Sequence, residues 1–587
     1  MTSSARLDSC QAAHVLSLAL LLAAGQGLTG CNTGSRSPGS SASSAPGVTA
    51  GGPTPGAGGA TTPAGGAATP APGGATQAGW PIGIPVPGFG TTDSHAQFAS
   101  LVGGGRYRDA GNGPYTHYVD SSASNASDAN PGTAAEPLAT IPLTLSPGDV
   151  VEVHGGPYSI PAASLTGVGT AAEPIFVRGV DDGQGLPQWT DGRLEISGSY
   201  LVIESLDFNR GALRLAPASD HVVVRDNEIH HNPDRSGFVG SGSDILLYRN
   251  HIHHFQADNR HGITNGHGTL RFWIVGNEVH HNAEDSFQCG HTAGAGPPPT
   301  YSEYIYIGGN TFYSDRENAV DLKWVKHVVI SQNVCTSYES APVGTYTFDD
   351  GSHTGSYSSG SDGSAILIGS DGLAEDVWIV FNEIHDNDAG VRIEEVAGAR
   401  LVGNTIRNIV RDGIRFEKEG GEIHVVGNTI HAVQQSGLNQ DWRENFTLFV
   451  HNNLISDAGN KSVNVESGSV SGRSSMSHNL FWQKGSPAQL SWGSGQAQPY
   501  ATTGDLAAFV GGTDNLVADP LLKDPSTGDL GVLAGSPALT GGLHPDSLPV
   551  YALFEAQHPG AGGIRFNADG DPVPASGSWQ IGALGAR

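Results

Sequence analysis

Six short segments in the middle of the chain alternate apolar and polar residues in one shared frame. They are Phe287-Gln288-Cys289-Gly290, Val320-Asp321-Leu322-Lys323, Val391-Arg392-Ile393-Glu394, Ile414-Arg415-Phe416-Glu417, Leu438-Asn439-Gln440-Asp441 and Val463-Asn464-Val465-Glu466. Period-two alternation of this kind predicts strands with one buried face. Between the segments an asparagine recurs in a constant context: Asn227, Asn250, Asn277, Asn310, Asn333, Asn382, Asn404, Asn428, Asn453 and Asn479. In nearly every case an apolar β-former stands two residues later, as in Ile229, Ile252, Val279 and Phe312. Successive asparagines are 22 to 33 residues apart, save one gap of 49 between Asn333 and Asn382. A period in the twenties without a 3.6-residue pattern means a solenoid whose turns are coils of short parallel strands. Asparagine at a coil corner tolerates the left-handed backbone of a tight turn, and its amides can stack as a ladder. The prediction is an all-β chain, a right-handed parallel β-helix over residues 116–510, with residues 511–587 capping the open edge of the last coil. The long gap is either two coils or one coil with an excursion from Ser337 to Asp362, which would be a lid or disordered.

Coiling turns sequence offsets into distances, because equivalent positions in neighbouring coils lie about 4.8 Å apart. The first outward row reads Gln288, Asp321, Arg392, Arg415, Asn439, Asn464, and the second Gly290, Lys323, Glu394, Glu417, Asp441, Glu466. Just upstream, Glu284-Asp285 in one coil stacks on Glu317-Asn318 in the next. Glu284, Asp285, Glu317 and Asp321 are thereby expected in one patch. Carboxylates that close repel unless a proton or a cation relieves them. Their hard oxygens at flexible spacing suit calcium. The alternative is a salt-bridge ladder of Lys323 with Asp321 or Glu317. Arg392 and Arg415 either clamp substrate carboxylates or pair with Glu394 and Glu417. The pairs His230-His231, His253-His254 and His280-His281 share one offset after their asparagines and predict a stacked corner. Cys289 and Cys335 fall on inward positions of different stacks, so both read as core residues without a disulfide.

Composition adds limits. The 587 residues are 37% hydrophobic and 15% charged, with 84 glycines, which suits a turn-rich β-protein. A formal charge of −28 argues against nucleic acid as a partner. The apolar run from Val15 to Gly25 is too short to span a bilayer and reads as the core of a signal peptide. Leu28-Thr29-Gly30-Cys31 resembles the bacterial lipobox, which implies a signal peptide over residues 1–30 and lipidation of Cys31. Residues 31–115, rich in Gly, Pro, Ala, Ser and Thr, then read as a disordered tether. The expected product is a monomeric lipoprotein on the bacterial cell surface or outer membrane, touching the membrane through its anchor alone.

The coil segments also resemble the secreted β-helix polysaccharide lyases, with family nine of the pectate lyases the nearest pattern. Glu284 and Asp285 match the first two acids of that family's calcium-binding Asp-Asp-Gly-aromatic-Asp run, and Gln288 replaces the third. The family's catalytic lysine lies in a Gly-Asn-Gly-Phe-Lys context, similar to Glu317–Lys323. Here Asp321 takes the lysine's place and Lys323 follows two residues later. The resemblance implies β-elimination on a uronate-containing, acidic polysaccharide. Calcium would sit on Glu284, Asp285, Glu317 and Asp321. Lys323, its pKa lowered by partial desolvation, would be the general base, and Arg392 and Arg415 would neutralise the uronate carboxylate. Polygalacturonase-type hydrolases fit less well: Gly266-His267-Gly268 and Arg392-Ile393-Glu394 copy only fragments of their motifs. The Asp-Pro-His-Asp signature of alginate epimerases is absent. The other function class is a non-catalytic surface rod that binds glycan. An aromatic-walled groove at the patch would separate the first reading from the second.

Overall fold

The computed structural model describes residues 79–290, 297–418, 420–440, 446–465, 472–493, 497–508, 512–574, 576–577 and 579–584. Cys31, the signal segment, the tether up to residue 78, Asp441 and Glu466 lie outside these residues.

Each coil contributes three strands, as in Glu278–His280, Phe287–Cys289 and Ser302–Gly308. Each strand pairs in parallel with its equivalent in the next coil, so Val279 faces Phe312 and Phe287 faces Val320. Some thirteen coils form a right-handed β-solenoid. The apolar members of the alternating segments close into one continuous core. Ile252, Val279, Phe312, Phe287, Val320 and Cys335 are all fully buried there. Cys289 and Cys335 are free thiols.

The asparagines do form a ladder. From Asn227 to Asn479, each donates its backbone N–H and its Nδ2–H to the Oδ1 of the next, at 2.8–3.1 Å. Asn515, 36 residues after Asn479, ends the series. The left-handed residue, however, is the one before each asparagine: Arg249, Gln332, Phe381 and His478 have φ of 53°, 54°, 57° and 56°. The turn bends one residue early, and this leaves the amide in line to reach its neighbour.

The 49-residue gap holds a single coil, because Asn333 N–H bonds directly to Asn382 Oδ1 at 2.9 Å. The excursion is ordered. It carries an antiparallel hairpin, Thr345–Thr347 against Thr354–Ser356, and buries Phe348 against His231.

One expected boundary is corrected. Residues 79–115 are folded rather than part of a tether. Ile82 N–H bonds to Gln332, Trp273 Nε1–H to Pro85 O, and Arg225 to Gly90 O. Trp80, Ile82, Ile84 and Phe89 lie on the outer apolar face of the coils, and the small-residue composition around them hid this apolar content. The C-terminal segment does not simply cap the stack. Its helix, Pro549–Gln557, sets Phe554 edge-on to Trp378 with centroids 4.8 Å apart, well back along the side of the solenoid. The last full coil is met by an antiparallel strand, Gln498–Tyr500, and by the parallel strands Gly512–Thr513 and Leu516–Val517 of the C-terminal segment.

Candidate functional site

Parallel pairing brings the expected carboxylates together. Gln288 faces Asp321 across neighbouring coils, and Lys323 follows Asp321 at the end of Asn318–Leu322. Gly290 is held at φ +124°, and a Cβ there would lie 2.3 Å from the Lys323 carbonyl oxygen. Glycine therefore lets the lysine backbone close onto its neighbour. Lys323 Nζ is 2.6 Å from Asp321 Oδ2. The other oxygen of that carboxylate, Oδ1, is buried without a hydrogen-bond partner, in a residue only 2% exposed. Asp285 Oδ1 accepts from Asn318 Nδ2 at 2.8 Å, and its Oδ2 accepts from Gln288 Nε2 at 3.1 Å. Glu317 lies against Glu284, with which it shares a hydrogen bond.

The electrostatics follow from this crowding. Burial, then the charges of Asp285 and Glu284, push Glu317 well above the carboxylate range. Burial pushes Asp321 up to about 7, Lys323 pulling it back and Asp285 raising it. Burial alone would lower Lys323, but Asp321 and Asp285 outweigh it and the ammonium is held more firmly than in water. The expected lowering of the Lys323 pKa is thus overturned: a carboxylate at contact distance is a larger effect than partial desolvation.

Arg392 and Arg415 stay apart from this patch. The strand Ser364–Ile368 intervenes and places Leu367 between Asp321 and Arg392 in the row. The separation is two strand spacings, roughly 10 Å. Arg392 instead meets Asp362 at 2.7 Å and Glu394 at 3.2 Å, and Arg415 meets Glu417 at 2.6 Å.

Residues beyond the expected set complete the patch. His261 Nδ1 lies 3.1 Å from Asp285 Oδ2. It sits 24 residues before Asp285, one coil length, so stacking the turn positions would have found it. Arg316 Nη1 is 4.0 Å from Glu284. Its guanidinium covers the ring of Tyr357 at 4.1 Å, and Tyr357 in turn lies 5.0 Å from Tyr346. The excursion thus stands as an aromatic wall beside the carboxylates. No spacing rule reaches across such a loop. The outward row also runs unbroken from Glu195 through Arg214, Val239, Thr264 and Gln288 to Asp321. These five spacings make roughly 24 Å. Glu195 lines a cleft of about 500 Å³ with Arg193, Arg210 and Arg235.

The histidine pairs are stacked as expected. His230, His253 and His280 form one column with centroids 5.0 Å apart. His231, His254 and His281 form a second with centroids 4.8 and 5.1 Å apart. Burial pulls His253, His254 and His281 below the ordinary imidazole range and His280 down to about 3.

Comparison with known proteins agrees on the fold. A family model described as a right-handed beta helix region matches residues 300–500. The likeness stops at architecture. Pectate lyase Pel9A is 15% identical with a TM-score of 0.39, covering 80% of this chain and 96% of that one. The PL6 family polysaccharide lyase from Pseudopedobacter saltans is 15% identical with a TM-score of 0.38, covering 65% of this chain and 91% of that one. The periplasmic alginate epimerase AlgG is 13% identical with a TM-score of 0.31, covering 46% of this chain and 73% of that one. No curated protein matches the sequence.

Proposed function

We propose that the chain acts on a uronate-containing, pectate-type polysaccharide and cleaves it by calcium-assisted β-elimination. The observation that carries this reading is Asp321, a buried carboxylate with one oxygen on Lys323 and the other without a partner. It lies at the end of an outward row, polar except at Val239 and roughly 24 Å long, and beside an aromatic wall. The donor set fits calcium in kind: the free Asp321 Oδ1 and the crowded Glu284 and Glu317 are hard oxygens, and a cation would take the place of the proton that Glu317 holds. Calcium supplies positive charge next to a uronate carboxylate and so acidifies the proton on the neighbouring carbon. A cation on Asp321 would draw that carboxylate's charge away from the Lys323 ammonium 2.6 Å off, and Lys323, once its own proton has gone to solvent, would take the proton from carbon as general base. The glycosidic oxygen then leaves, and no water is consumed. Arg392 and Arg415 lie too far along the row to touch the same sugar as Lys323, so their part is to hold the polymer.

The test is incubation with pectate, alginate and glycosaminoglycan, with and without calcium, while following the ultraviolet absorbance of an unsaturated uronate. Lys323→Ala should abolish that signal, and Asp285→Ala should raise the calcium needed. The reading fails if no polymer gives signal with calcium present, or if Lys323→Ala retains full turnover. One observation favours the non-catalytic rod: Lys323 and both arginines are already engaged by carboxylates. That reading is met if polymer binds and no unsaturated product forms. We also propose that Cys31 carries the lipid that holds the protein outside a bacterial membrane, on the strength of Leu28–Cys31 and the small-residue spacer after it.

A further inference from the structure

The histidine columns leave a proton shortage. Asp207 Oδ1 is 2.9 Å from His230 Nε2, His230 Nδ1 is 2.5 Å from His231 Nδ1, and His231 Nε2 is 2.5 Å from Asp349 Oδ1. That chain has three contacts. Two neutral imidazoles bring only two N–H groups, and carboxylates bring none. With both Nε2–H groups turned to their carboxylates, the two Nδ1 lone pairs face each other. The next rung repeats the arrangement: Glu228 Oε1 to His253 Nε2 at 3.3 Å, then His253 Nδ1 to His254 Nδ1 at 2.7 Å. Filling each rung with a proton would set imidazolium charges about 5 Å apart in one column, where like charges repel strongly.

A metal ion resolves the shortage at the first rung in one step. His230, His231 and His253 each bring a ring nitrogen within 4.8 Å of the other two. Each has its remaining nitrogen on a carboxylate: Asp207, Asp349 and Glu228. A histidine whose far N–H is held by a carboxylate is fixed in the tautomer and orientation of a metal ligand. Three imidazoles leave a fourth position open, as in three-histidine zinc sites. Imidazole nitrogen selects zinc, copper, nickel or iron over calcium. His231 and His253 are each 7% exposed, so two of the three ligands are already desolvated.

We propose that the trough between the two imidazole columns binds one divalent transition-metal ion through His230, His231 and His253. Asp207, Glu228 and Asp349 orient these ligands. Asp349 belongs to the excursion, so the ion also ties that hairpin to the coils. The site is separate from the carboxylate patch and stands whether or not the chain is a lyase.

The experiment uses the full chain, stripped by chelator and titrated with zinc chloride by calorimetry. Cobalt chloride gives an independent visible absorbance band. One tight equivalent is expected, and His253→Gln should remove it. Asp349→Asn and Glu228→Gln should weaken it by 10- to 100-fold, as loss of an orienting carboxylate does. Asp349 sits on an exposed hairpin, so that variant does not depend on core packing, and circular dichroism checks each fold. Calcium chloride at the same concentration should not displace the ion. The proposal is overturned if wild type binds zinc no better than His253→Gln. It is also overturned if Asp349→Asn and Glu228→Gln both bind like wild type, or if calcium competes equally.

Discussion

Asn310→Ala tests the ladder that sets the coil spacing. Asn310 is 1% exposed. Its Oδ1 accepts from Asn277 N–H at 2.8 Å and from Asn277 Nδ2 at 3.0 Å. Its Nδ2 donates to Ile274 O at 2.9 Å and to Asn333 Oδ1 at 2.8 Å. Alanine removes all four bonds, but the partners lose unequally. Asn277 Nδ2 keeps Leu247 O, and Asn333 Oδ1 keeps the Asn310 backbone N–H. Asn277 N–H is left buried with nothing to bond, which costs about 1–3 kcal/mol. Ile274 O loses one donor, and the small cavity adds about 1 kcal/mol more. The sum is a loss of about 2–4 kcal/mol. Urea titration followed by far-ultraviolet circular dichroism reads the total. Hydrogen exchange at the Asn277 amide reads it locally, which matters because solenoids need not unfold as one unit. Asn460→Ala on the exposed surface is the control and should shift stability by under about 0.5 kcal/mol. If Asn310→Ala and Asn460→Ala shifted the urea midpoint equally, and the Asn277 amide kept its protection, the ladder would not be a source of stability.

Asp315 is wholly buried, and burial pushes its carboxyl up to about 7 against the hydrogen bonds it accepts from Ser286, Asn282 and Tyr338. A raised pKa means the folded state holds this proton more tightly, so its contribution is complete below the ordinary carboxylate range and is lost as pH rises through about 7. The shift from 3.8 sets the loss on the order of 4 kcal/mol. Asp315→Asn should flatten the fall in melting temperature between about pH 4 and 7, and an unchanged slope would refute the assignment. Phe348→Ala should free the excursion: losing a buried ring costs about 3 kcal/mol, so limited proteolysis within residues 337–362 should quicken about a hundredfold, and an unaltered cleavage rate would mean other contacts hold the hairpin. Cys31→Ser should release the protein into the soluble fraction or leave the precursor uncut; mass spectrometry finding an unlipidated mature N-terminus elsewhere would rule the anchor out.

The repeat made most of the fold legible. Period-two alternation assigned the inward and outward faces, and the asparagine period assigned the coils, so Asp321, Lys323, Glu284, Asp285 and Glu317 were placed together from offsets alone. Those signals are local and periodic, and a parallel stack preserves them as distances. What the repeat does not encode stayed hidden. Leu367 separates Arg392 from the patch because its strand follows an insertion that breaks the count. The folded segment 79–115 and the side-docked helix reach their partners across more than a hundred residues, where no period operates. The charge state of Lys323 was decided in three dimensions, by a carboxylate 2.6 Å away. The histidine pairs show the division most clearly. Sequence alone determined that they stack, because they share one offset in each coil. Only the tertiary structure brought Asp349 back onto them from the excursion, and with it a set of contacts that the protons of neutral imidazoles cannot fill.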